Sequence, residues 1–157
     1  MKTNTPLSDI RVLNIGIAWA GRVASMLLAE QGAEVIEVVR PGRKSHPADP
    51  VLDRSKRLLE LDMKQSSGRE QIINLAKTAN VIIENMRPGV AERLGLGYEQ
   101  LGGDASGLVY ISLPGFAVGD PRRDDAAWEG SIAGATGVYT DLSTLGRLIG
   151  GCLLYTS

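Results

Sequence analysis

The sequence predicts an α/β fold, a parallel sheet with flanking helices. Short apolar runs alternate with amphipathic stretches, glycines punctuate the junctions, and β-branched residues concentrate in the runs. Residues 10–15, "IRVLNI", read as a first strand that stops at Gly16. In "AGRVASMLLAEQG", Val23, Met26, Leu27 and Glu30 recur at helical spacing, and Gly32 is placed to close the helix. A second strand follows over residues 33–39. "SSGREQIINLAKTAN" carries Ile72, Leu75, Ala76 and Ala79 on one helical face. The third strand, residues 80–84, is built on Val81, Ile82 and Ile83; Pro88-Gly89 then breaks the chain, residues 90–94 make a turn of helix, and Gly95 ends it. "LVYISL", residues 108–113, is a fourth strand. Strands alternating with helices imply right-handed parallel βαβ units.

Between the second strand and the second long helix lies a stretch rich in proline and charge. Residues 40–57 hold six basic side chains against Asp49 and Asp53, a local charge of +4, and read as a solvated loop. The last residues, "CLLYTS", read as a non-native tail over 152–157 on a truncated domain spanning 1–151, with a second domain absent.

Composition narrows the function. A chain of 157 residues, 43% hydrophobic and 22% charged, fits one globular domain. With 17 basic and 18 acidic residues the net charge is −1, so no global field recruits nucleic acid or an anionic membrane. Only 4% of residues are aromatic, too few for base-stacking platforms. A lone cysteine, Cys152, cannot make an internal disulfide, and a lone histidine, His46, excludes a His-rich metal site. His46 itself reads as a surface residue. "MKTNTPLSDI" lacks the apolar core of a signal peptide, and no apolar run reaches the roughly 18 residues of a membrane span. These features fit a soluble cytoplasmic protein without a metal.

Strand, glycine turn, helix and second strand outline a dinucleotide-binding unit. The three-glycine fingerprint is incomplete: "NIGIAWAGRVAS" supplies Gly16 and Gly21, with Trp19 where a pyrophosphate would approach. Arg40 at the end of the second strand leaves an NADP-binding oxidoreductase as one reading, with Glu37 just inside the strand. No P-loop and no G-x-S-x-G elbow is present. Asn85, Arg87 and Arg93 fall after the third strand, at the sheet edge where open α/β folds bind ligands.

Several stretches, in order, resemble the class III coenzyme A transferases (CaiB/BaiF), the family of formyl-CoA transferase, carnitine CoA-transferase and α-methylacyl-CoA racemase. They are "LSDIRVLNIG", "ASMLLAEQGAEVIEVVRPG", "SKRLLELDMKQSSGREQI", "ANVIIENMRPGVAERLGLGYEQL", "LVYISLPGFAVGDPRRD" and "AAWEGSIAGATG". The resemblance implies a Rossmann-like parallel sheet, the N-terminal part of the family's large domain, with coenzyme A as ligand. It maps CoA contacts onto Ala18, Trp19 and Ala20, onto Arg40, onto Leu61 and Lys64 of "LDMK", onto Asn85 and Met86, and onto Arg93 and Leu94. In that mapping Asn85 bonds a pantetheine amide, Arg93 meets phosphate, and Arg40 and Lys64 add positive charge along the same crevice. Arg93 pairing with Glu92 or Glu99, and a merely solvated Lys64, are the alternatives.

The implied reaction moves CoA from an acyl-CoA to a carboxylic acid through an aspartyl-acyl anhydride and an enzyme-CoA thioester. The family's nucleophilic aspartate maps at or past Ser157, so it is absent from the chain; Asp141 comes too early to stand for it. Glu129 matches an acidic residue near the family's active centre and is assigned an auxiliary role, with a carboxylate favouring a helix dipole as the equal alternative. Gly115 belongs to a loop near the thioester or to a plain turn, and Arg122 and Arg123 stand near a basic position of some relatives. The resemblance further implies a full-length homodimer of interlocked subunits. A racemase, a noncatalytic half of a fused transferase and a regulatory module remain as alternatives.

Overall fold

The computed structural model describes residues 5–17, 19–103, 107–117 and 119–137. The chain divides into two compact units, Met1–Leu113 and Pro114–Ser157.

The first unit is a five-stranded parallel sheet in the order β3-β2-β1-β4-β5. The strands are β1 (Arg11–Asn14), β2 (Glu34–Val39), β3 (Lys56–Glu60), β4 (Val81–Glu84) and β5 (Val109–Ser112). Helices α1 (Trp19–Glu30) and α3 (Ser66–Ala76) are the long connections; α2 (Asp49–Leu52) and α4 (Val90–Arg93) are single turns, followed by a 3-10 turn over Glu99–Leu101. β1 lies at the centre, with Leu13 opposite Ile36 of β2 on one side and Ile82 of β4 on the other.

Alternation along the strands sends neighbours to opposite faces. Leu13 and Ile82 join Ile72 and Ala76 of α3 in one buried cluster; Val12 and Ile83 join Ala29 of α1 and Ala33 in another. Apolar runs without polar alternation are therefore what a sheet covered on both faces requires. Gly32 closes α1 at φ +99°, a conformation that glycine adopts without a Cβ penalty, and a Cβ there would collide with Thr5.

The stretch expected to be a solvated loop, 40–57, is corrected by the structure. It contains α2 and the basic start of β3, a strand that pairs Val35 with Lys56 through Val39 with Glu60. "KRLLE" escapes periodicity because it is an edge strand whose residues are mostly half-buried or exposed. Its positive charges are partnered: Lys56 with Glu37 and Arg57 with Glu34.

In the second unit, Arg122 bonds Asp120 at 2.8 Å and lies 4.7 Å from the Phe116 ring centroid. Helix α5 (Glu129–Ala135) starts where the Trp128 backbone N–H donates to Ser131 Oγ, 2.9 Å. No helix among the described residues is long and apolar enough to cross a membrane.

Candidate functional site

The strand order makes the position of a site intelligible before any side chain is considered. From β1 the chain builds outward to β2 and β3, then crosses back to β4 on the other side of β1. Loops leaving β1 and β4 at their carboxyl ends diverge, and a crevice opens between them.

A cleft of about 270 Å³ lies at that edge. One wall is apolar: Leu61 and Met63 after β3, Met86 after β4, Val90 at the start of α4 and Leu94 just past its end. Leu61 and Met86 are themselves buried. Arg40, Lys64 and Arg87 bring three cations to the same cleft, against Asp62. Asp62 Oδ1 accepts the Lys64 backbone N–H at 2.9 Å and so shapes the turn. Among the described residues, Arg40, Lys64 and Arg87 form no ion pair. Such a cleft suits a ligand that is anionic at one end and apolar along its length.

A wider cleft of about 600 Å³ adjoins it, sharing Ile17 and Arg40 and lined also by Trp19, Arg43, Lys44 and His46. Trp19 and His46 meet edge to face, centroids 5.5 Å apart. Behind them Arg22 bonds Asp49 at 2.7 Å and Asp53 at 2.6 Å, and Arg43 bonds Asp53 at 2.6 Å. Burial raises the pKa of both aspartates, but hydrogen bonds outweigh it: from the His46 backbone and Arg22 to Asp49, and from Arg43 and Arg22 to Asp53. Both carboxyls end below the ordinary aspartate range.

Two asparagines hold the loop between the clefts. Asn14 Oδ1 accepts the Gly16 backbone N–H at 2.9 Å, and Asn85 Oδ1 accepts that of Ile17 at 2.6 Å. A Cβ on Gly16 would sit 2.8 Å from Asn85 Oδ1 and 2.9 Å from Asn14 Oδ1, so any larger residue would have to displace one of the two carboxamides that hold the loop. Below the loop, Asn14 Nδ2 donates to Glu37 Oε1 at 2.8 Å. Glu37 Oε2 takes Ser25 Oγ and Lys56 Nζ, both at 3.0 Å. Burial pushes the Lys56 ammonium below the usual lysine range, partly offset by attraction to Glu37.

Of the residues expected to hold ligand, Arg40, Leu61, Lys64, Met86 and Leu94 line the smaller cleft, and Trp19 lines the wider one. Asn85 acts on the loop beside them, and its Nδ2 makes no hydrogen bond among the described residues. Two placements depart from the expected single crevice. Arg93 is exposed and lines neither cleft, because Val90 and Leu94 occupy the inward side of the short α4; its Nη1 lies 3.2 Å from where a Gly89 Cβ would be. It makes no ion pair with Glu92 or Glu99. Ala20 is exposed in the first turn of α1 and also lines neither cleft. Ala18 and Asp141 lie outside the described residues, and Glu129 is exposed in the first turn of α5 in the second unit. Sequence reasoning missed Ile17, Met63 and Val90; the Val90–Leu94 spacing of four was the available signal for the last.

A parallel sheet with flanking helices and a cationic, apolar-walled crevice at its carboxyl edge defines a Rossmann-like α/β unit. Residues 7–147 match the family model described as CoA-transferase family III, and the chain belongs to that family. It is 38% identical over 140 residues to the CoA-transferase/lyase DddD of Marinomonas sp., covering 87% of this chain and 17% of that protein. It is 37% identical over 145 residues to the succinyl-CoA–D-citramalate CoA-transferase of Chloroflexus aurantiacus, covering 84% and 36%. Among solved structures, a point mutant of Rv3272 of Mycobacterium tuberculosis superposes with a TM-score of 0.78 at 30% identity, over 87% of this chain and 40% of that one. A CaiB/BaiF family protein of Brucella suis gives 0.74 at 30%, over 86% and 40%. The chain thus spans well under half the length of these relatives.

Proposed function

We propose that this protein transfers coenzyme A between an acyl-CoA and a carboxylic acid, and that the crevice of the first unit holds part of the CoA. The supporting observation is the pairing of Arg40, Lys64 and Arg87, three cations without ion pairs among the described residues, with an apolar wall of Leu61, Met86 and Leu94. Phosphates suit the cations, and the methylene-rich pantetheine arm suits the wall. Asn85 offers its amide nitrogen to a pantetheine carbonyl, and Arg93 serves an outer phosphate from the rim.

The reaction proceeds by carboxylate attack on the thioester, releasing CoA thiolate and leaving a mixed anhydride. The thiolate then attacks the enzyme's carbonyl of that anhydride, expelling the acyl carboxylate and leaving an enzyme-CoA thioester; the acceptor carboxylate reverses both steps. The aspartate nucleophile is assigned to the part of the family's length beyond these 157 residues, with Glu129 auxiliary to it. The complete protein is read as a cytoplasmic homodimer of acyl-CoA metabolism, and the isolated chain as a weak CoA binder with little or no transferase activity.

Thermal shift with CoA and NADPH side by side tests this. CoA at about a hundred times its Kd adds about 2.7 kcal/mol to the stability of the folded chain, and Arg40→Ala reduces the shift. A shift with NADPH and none with CoA would identify an oxidoreductase-type site; no shift with either would leave only a noncatalytic module.

A further inference from the structure

We infer that Glu37 and Asn14 form a buried positioning device that sets which group the β1–α1 loop meets, and thereby the shape of the CoA crevice. The inference rests on the CoA reading but on different atoms, since neither residue lines the smaller cleft.

Asn14 is fully buried and Glu37 nearly so. A carboxylate only accepts hydrogen bonds, so the Asn14 group 2.8 Å from Glu37 Oε1 has to be the amide NH₂. The other end of the same carboxamide is then fixed as an acceptor, and it faces the Gly16 N–H at 2.9 Å. The glutamate thus dictates the orientation of the asparagine, and the asparagine dictates the position of the loop. Lys56 holds the glutamate from the opposite side, its three ammonium donors going to Glu37 Oε2, Ser25 Oγ and the Arg22 carbonyl. With both Glu37 oxygens engaged, the carboxamide has one satisfied orientation. The loop it holds matters to both clefts: Ile17 lines each of them, and Gly16 lines the wider one.

The arrangement is reciprocal, which gives a test. In the exchange Asn14→Asp with Glu37→Gln, the carboxylate introduced on β1 would accept both the Gly16 N–H and the NH₂ of the carboxamide introduced on β2, whose oxygen turns to Lys56. One carboxylate remains for one ammonium. Either substitution alone breaks the sequence of donors and acceptors: Asn14→Asp sets two carboxylates face to face, and Glu37→Gln allows the carboxamide to turn over.

The experiment measures amide hydrogen exchange at Gly16 by NMR, referenced to Val12 within β1, together with CoA affinity by calorimetry, on the 157-residue chain. Each single variant is expected to speed Gly16 exchange about tenfold relative to Val12 and to weaken CoA about tenfold, the equivalent of one lost buried hydrogen bond. The double variant is expected to restore both. Ile72→Ala on α3, in an apolar cluster that includes none of Asn14, Glu37 and Val12, lowers stability without changing the Gly16 to Val12 ratio, and a merely structural role for Glu37 would behave in the same way. Folded single variants with a wild-type ratio overturn the inference. If a single variant fails to fold, the double decides: slow Gly16 exchange with wild-type affinity supports it, and a double that unfolds or exchanges fast overturns it. Wild-type chain that ignores CoA sinks the proposed function, while the exchange pattern still decides the positioning.

Discussion

Replacing Lys56 by methionine removes the cation of a buried ion pair while keeping the aliphatic stem. Lys56 has 0% of its side chain exposed and Glu37 1%, so water cannot substitute for the lost charge. The ammonium's hydrogen bonds to Glu37, Ser25 and the Arg22 carbonyl disappear together. Leaving one buried charge without its partner costs about 3–5 kcal/mol. Total stabilities of domains run about 5–15 kcal/mol, so the variant loses a large part of its margin. With an m-value of about 2 kcal/mol/M, the urea midpoint read by circular dichroism falls by about 1.5–2.5 M. Adding Glu37→Gln removes the stranded charge and recovers more than half of the loss. A midpoint shift below about 0.5 M for Lys56→Met would refute the reasoning, because it would mean that Glu37 is solvated after all.

Ile82→Ala removes a side chain with no exposed surface from the central region of the sheet. A loss of about 2–5 kcal/mol is expected in the same urea assay, and a loss below about 1 kcal/mol, on the order of one methylene, would contradict the packing described. The pH dependence follows from Asp49 and Asp53. Both carboxyls have folded pKa values below the ordinary aspartate value, so their contribution is present above that value and is lost as pH falls through the lowered ones. Acid titration followed by circular dichroism should therefore show stability falling below about pH 4, with a shallower fall in Asp53→Asn; identical slopes would be the negative result.

Most of the sheet was legible in the sequence. The β-branched run Val81-Ile82-Ile83 and the periodic Ile72, Leu75 and Ala76 announce a strand and a helix because both elements are covered by apolar neighbours, and burial is what makes hydrophobic patterns sharp. β3 was not legible for the opposite reason. It sits at the edge, and the ammonium of its first residue, Lys56, is buried against Glu37, two residues along the neighbouring strand from its register partner Val35, a pairing that no local window contains. The crevice divides in the same way. Arg40, Leu61, Lys64, Met86 and Leu94 were named through the family resemblance, and the fold brings all five to one cleft. Arg93 falls outside the cleft because a one-turn helix can turn only part of its circumference inward, and spacing alone does not say which part. Asn14 carried no sequence signal: an asparagine inside an apolar strand reads as an interruption until its partners are seen.

One rim of the sheet has a consequence for how the molecule behaves in a crowd. Among the described residues β3 ends the sheet with a backbone ladder open on its outer side, the kind of border along which a foreign strand could zip up. Arg57 and Glu60 stand exposed along that border, and an incoming copy would have to strip water from both, and from itself, to dock there. Arg57, which reads as one more solubilising charge in one dimension, is in three a guard on that border against fibrillar growth.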